Sequence, residues 1–160
     1  MALPETPWQQ WSYIGRADGV GNGTSTLNFA CALDADERIG NGTAFLRARR
    51  ASGFVYLNLY FLVGSSTSFG TGGFSVLEFE LPSLFSTVNN QSFITPAYVA
   101  GTGSTVYGGI GLVTTGGGAY WSLPTLGLVM NTTQVTPSAP ISLTNGCLLN
   151  ATGIFEAYGN

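Results

Sequence analysis

The chain has 160 residues and a formal net charge of −3, and only 8% of its residues are Asp, Glu, Lys or Arg, against about 25% in an ordinary soluble domain. That length fits one domain able to bury about 70% of the surface its unfolded chain exposes, without help from a metal or a disulfide. The acidic balance excludes a basic nucleic-acid footprint. The longest apolar run is broken at Asn58, far short of the ~20 residues of a membrane helix, which argues against membrane insertion.

Residues 1–22 stand apart, with Trp8, Trp11, Tyr13 and Ile14 set among polar residues. They read as an N-terminal aromatic arm that docks onto a partner, or as an arm folded back on its own domain. From residue 23 to 160, strand patterns alternate with Gly- and Asn-rich turns, and helical periodicity is absent. The expected strands are Ser25–Leu33, Thr43–Arg50, Gly53–Val63, Phe74–Leu81, Ala97–Ala100, Val106–Val113, Ala119–Leu123, Leu126–Met130 and Leu148–Tyr158. Turn signals between them include Asn41-Gly42, Gly70-Thr71-Gly72-Gly73, Gly116-Gly117-Gly118 and Asn145-Gly146. Many short strands with this punctuation predict an all-β fold, an antiparallel β-sandwich of jelly-roll type.

The strand Gly53–Val63 is informative because side chains alternate faces with period two. Val55, Leu57, Leu59, Phe61 and Val63 form an aliphatic core face. Phe54, Tyr56, Asn58, Tyr60 and Leu62 form the other face. The solvent face of an antiparallel sheet is normally polar. An aromatic one points to an interface, through Phe54, Tyr56, Tyr60 and Leu62, with another copy or a partner. The alternative is a central strand covered on both sides within one chain. In Phe74–Leu81, Leu77, Phe79 and Leu81 point one way, and Glu78 and Glu80 the other.

Chemistry is poorly provided for. The chain has neither His nor Lys. That removes Ser–His and Cys–His pairs, the commonest metal ligand, Schiff bases and the Walker lysine. Asp34-Ala35-Asp36-Glu37 lacks the spacing of a calcium loop and reads as a solvated turn. Glu78 and Glu80 share a strand face, as any half-exposed strand allows. Arg47, Arg49 and Arg50 hold three of the five positive charges, and Arg47 and Arg49 are expected to pair with Glu78 and Glu80 across a sheet. No enzymatic activity, metal or cofactor is expected. Cys31 and Cys147 read as two buried thiols, with a disulfide between them the alternative.

The start Met1-Ala2-Leu3-Pro4-Glu5 lacks the features of a secretory leader. The N-x-S/T sequences at Asn22, Asn41, Asn90, Asn131 and Asn150 are therefore expected to serve as turn and strand-edge chemistry.

One resemblance follows from the turn motifs. Gly40-Asn41-Gly42-Thr43 leads a strand bearing Arg47 and Arg49. Gly53 opens the long apolar strand, and Gly64-Ser65-Ser66-Thr67-Ser68-Phe69-Gly70-Thr71-Gly72 precedes a strand closing at Leu81-Pro82. The C-terminal run Asn145-Gly146-Cys147-Leu148-Leu149 continues into Gly153-Ile154-Phe155-Glu156-Ala157. This order resembles the β-rich domains of minor tail and tail-tip, receptor-binding-like proteins of tailed phages infecting actinobacteria. It covers about two-thirds of the chain, from about residue 40 onward, and residues 85–135 match only in style. Cys147 stands where those domains carry an acidic residue, so that residue's role is not carried over.

The resemblance implies a β-sandwich, assembled as a homotrimer and located on a virion. Its partners would be other tail or capsid proteins, and a host cell-surface glycan. It implies no catalytic residues. Because only the arm precedes the domain here, attachment is expected through the arm or the sandwich. That leaves capsid decoration as a second virion role and a lectin-like module as a third reading.

Overall fold

The computed structural model describes residues 5, 7–13, 26–27, 29–30, 37–69, 77–80, 93–103, 105–114, 125–130, 133–139 and 141–156. Among them the secondary structure is entirely β. In chain order the strands are β1 (Gln9–Tyr13), β2 (Thr26–Leu27), β3 (Phe29–Ala30), β4 (Glu37–Arg38), β5 (Thr43–Ala51), β6 (Phe54–Leu62) and β7 (Ser68–Phe69). They continue with β8 (Glu78–Glu80), β9 (Phe93–Ala100), β10 (Val106–Thr114), β11 (Thr125–Met130), β12 (Thr133–Gln134) and β13 (Leu148–Glu156). One hydrogen-bonded path runs β2-β1-β5-β6-β13-β9-β10-β11-β8-β3, with β12 paired to β11, and β4 pairs β7 separately. The seven strands from β1 to β11 along this path are antiparallel throughout. Among the described strands, only the short β1–β2 pair is parallel.

The β5–β6 hairpin is the best-defined unit. Ala51 pairs Phe54, leaving Ser52 and Gly53 as a two-residue turn, and both have positive φ, 52° and 83°. Such a turn matches the twist of its flanking strands. Above it, Ala44, Leu46 and Ala48 of β5 lie opposite Phe61, Leu59 and Leu57 of β6, and all six are buried. β13 continues this inner face with Leu149 opposite Phe61 and Ala151 opposite Leu59, both fully buried. The expected core face of β6 is therefore the observed one.

The sheet does not stay flat. Phe61 on β6 packs edge-to-face on Phe79 of β8, with ring centroids 6.0 Å apart. Five strand-to-strand steps separate these strands along the path, about 24 Å in a flat sheet. The sheet must curl so that β8 comes back to the inner face of β6. Phe69 also packs against Phe61, at 6.1 Å. Leu77, Leu128, Met130 and Val135 complete the far side of that core, all with no exposed surface.

Two loops lock the end of the sheet opposite the Ser52–Gly53 turn, and they are the segments that carried the resemblance. The Asn41 side chain donates to Ser65 Oγ (2.9 Å), and its Oδ1 accepts from the Ser66 N–H (2.8 Å) and hydroxyl (2.9 Å). The Asn41 N–H donates to Ser66 Oγ (2.8 Å). The Thr67 hydroxyl donates to the Ile39 carbonyl (2.6 Å) and accepts the Gly64 N–H (2.9 Å). A Cβ on Gly64 would collide with the backbone at Asn41 and Gly42, so only glycine allows the loops to close together. At the other crossing, the Gly146 N–H donates to the Val63 carbonyl (2.8 Å), and the Val63 N–H donates to the Cys147 carbonyl (2.9 Å). The expectation of turn chemistry at Asn41-Gly42 and Asn145-Gly146 holds.

Cys147 is a buried free thiol. Its Sγ accepts the Thr144 N–H at 3.3 Å. Cys31, Ile14, the expected strand Ala119–Leu123 and the acidic residues Asp34 and Asp36 lie outside the described residues.

One expectation changes. Arg47 and Arg49 do not pair with Glu78 and Glu80: β5 is flanked by β1 and β6, while β8 lies between β11 and β3. The curl brings β8 toward the inner face of β6, whereas alternation puts these arginines on the outer face of β5. Residues 9–13 of the expected arm form β1 and hydrogen-bond along β5, with Trp11 opposite Leu46 and Ser12 opposite Phe45, which agrees with the alternative of an arm folded back on its own domain. At this level the sheet begins before residue 23.

Candidate contact surface

The outer face of β5, β6 and β13 is the most distinctive surface of the described chain. Register sets its rows. Thr43, Leu62 and Leu148 form one, followed by Phe45, Tyr60 and Asn150, and then by Arg47, Asn58 and Thr152. Arg49, Tyr56 and Ile154 follow, and Ala51, Phe54 and Glu156 close the series at the hairpin end. Tyr56, Tyr60 and Leu62 are half-buried, while Phe54 is 45% and Ile154 57% exposed. The face is neither a covered core nor an ordinary polar surface. Alternation explains why: each apolar core position is followed by a residue with no core to enter, and here those residues are aromatic and aliphatic.

Specific contacts order the face. Phe45 stacks on Tyr60, with centroids 5.0 Å apart and planes 15° from parallel. Asn58 Nδ2 donates to Thr152 Oγ1 (2.8 Å), whose hydroxyl donates to Asn150 Oδ1 (3.2 Å). These bonds make a polar lane across β6 and β13. At the β1 side, the Arg49 guanidinium lies 4.8 Å from the Tyr56 ring centre and 5.3 Å from that of Trp8. Both distances suit attraction between a cation and the negative ring face. Trp8 remains 50% exposed.

The face therefore unites all four residues expected as an interface, Phe54, Tyr56, Tyr60 and Leu62. It adds Trp8 from the expected arm. Trp11 and Tyr13 are placed only by backbone register on β1. Sequence reasoning did not foresee Phe45, Ile154, Asn150 and Thr152 as parts of this surface. Alternation within β5 and β13 flags them as outward positions, but which strands flank β6 follows only from pairing between residues about 94 apart, such as Asn58 and Thr152. Comparison with known protein families, curated proteins and solved structures finds no match for this chain.

Proposed function

We propose that this chain is a non-catalytic structural protein of a phage virion, a minor tail or tail-appendage component that contributes to host-surface binding. In this reading the curled sheet is a β-sandwich of jelly-roll type. Three copies assemble through part of the outer face, and the remainder is presented to the outside. The observation that carries the contact role is the half-buried apolar face of β6, with Tyr60 stacked on Phe45 and Phe54 left exposed. A face of this kind gains from being covered, since each Å² of apolar surface removed from water contributes about 25 cal/mol. The virion setting is supported by the order of the turn motifs. Those motifs form the Asn41–Ser66 clasp and the Gly146–Val63 crossing, which specify how loops close on a sheet and carry no reactive group.

Immunogold electron microscopy of phage particles containing this chain tests the setting. Label at the tail supports the proposal. Label spread over the capsid would instead assign the chain to decoration of the head, and particles free of label would remove it from the virion.

A further inference from the structure

The polar groups of the Asn41 clasp are engaged between its two loops, and the Cys147 thiol by its own loop. The corner at Arg49 differs. The Arg49 Nε is buried with no hydrogen-bond partner. Among the described residues its guanidinium meets two aromatic rings and no carboxylate. The buried Nε is out of a ligand's reach, but the half-buried guanidinium has no counter-ion among the described residues, and an anion that meets its terminal nitrogens gains a charge-assisted pair. A second cation lies beside it: Arg47 is exposed and two residues along the same strand face, about 7 Å away at the backbone. Asn58 stands opposite Arg47 and opens the polar lane to Thr152 and Asn150. Half of the Trp8 surface stays in solvent.

Each ligand class uses these groups differently. A bare inorganic anion would engage the guanidinium groups alone. An acidic protein side chain would leave the indole and the amide lane unused. A sugar acid uses all of them. Its apolar C–H face covers an indole, its hydroxyls meet amide and hydroxyl groups, and its planar carboxylate matches the fork of a guanidinium with two parallel bonds.

We propose that Trp8, Arg47, Arg49, Tyr56 and Asn58 form a binding site for a carboxylate-bearing saccharide, a hexuronate unit within a longer glycan. Arg49 holds the carboxylate, with Arg47 supporting it, Trp8 carries the sugar ring, and Asn58 meets a hydroxyl. The site deepens the contact-surface reading by naming a ligand. It rests on that reading only in needing the hairpin end of the face to be open.

Isothermal titration of the full chain with hexamers of galacturonate, of mannuronate and of hyaluronan tests the proposal, with cellohexaose as the neutral ligand of equal length. At least one uronate hexamer is expected to bind about ten-fold or more tightly than cellohexaose. Arg49→Gln and Trp8→Ala are each expected to weaken that binding by about ten-fold or more, and added salt to weaken it further. Circular dichroism of each variant verifies that it is folded. Tyr60→Asp, about 13 Å along β6 from Tyr56, is expected to keep the sugar affinity. If that variant loses its oligomer and still binds, the two roles are separate. Loss of oligomerisation on Arg49→Gln, with no sugar bound, would assign the corner to a second copy of the chain. Equal affinity for uronate and neutral hexamers, or an unchanged affinity in Arg49→Gln, would also overturn the proposal.

Discussion

Asn41 shows how one side chain closes a fold. Its amide makes three of the four bonds that join its loop to Ser65 and Ser66. Asn41→Ala is expected to lower stability by about 2 kcal/mol in urea unfolding, since exposed bonds of this kind contribute less than buried ones. Ser52 has the opposite potential. It holds a φ of 52°, a conformation that costs a residue with a Cβ and that Asn tolerates better. Ser52→Asn is therefore expected to raise the thermal midpoint through about 0.5 kcal/mol of relieved strain, while Ser52→Val should lower it. Cys147 illustrates what residue type alone leaves open. As a thiol it suggested either a buried residue or half of a disulfide, and its environment shows a free sulfur accepting the Thr144 N–H.

At the scale of the element, β6 carries the account. Its inner face was legible directly: Val55, Leu57, Leu59 and Phe61 alternate without exception, and all are buried. The outer face was legible as unusual, because a polar row was due there and Tyr56, Tyr60 and Leu62 stood instead. Its neighbours were not legible. Local patterning reveals which way a residue points but not which strand lies beside it, so charge alone suggests a pairing of the β5 arginines with the β8 glutamates that the strand order does not allow. The register places Tyr56, not a glutamate, opposite Arg49. The two faces respond differently to substitution. Leu59→Ala should cost about 3 kcal/mol by leaving a cavity in the core. Tyr56→Asp should leave the domain folded, with a near-native circular dichroism spectrum, because its side chain has no core to lose.

The terminal element β1 has a further consequence. It covers one edge of β5, a long strand whose unpaired backbone would otherwise be open to pairing with other chains. Aromatic residues among polar ones leave two targets open, a partner or the chain's own sheet, and residues 9–13 pair with the latter. Deleting residues 9–13 should therefore promote aggregation, measurable by light scattering. Trp8→Ala leaves β1 in place and should not.

At the scale of the molecule, the Phe61–Phe79 contact shows a sheet that curls until side chains of β6 and β8 meet in one core. An all-β class was legible from turn punctuation and period-two patterning. The path of strands was not, because its pairings span most of the chain, as between β5 and β1 or β13 and β6. With only 8% charged residues, the molecule has little electrostatic protection against self-association, and its apolar outer face offers a defined place for it. This face is proposed to join the protein to other surfaces, first of all to its own copies. Analytical ultracentrifugation of the wild type and of Tyr60→Asp at micromolar concentration tests it most directly. The proposal predicts a trimeric wild type and a folded monomeric variant. A wild type that sediments as a stable monomer would contradict it.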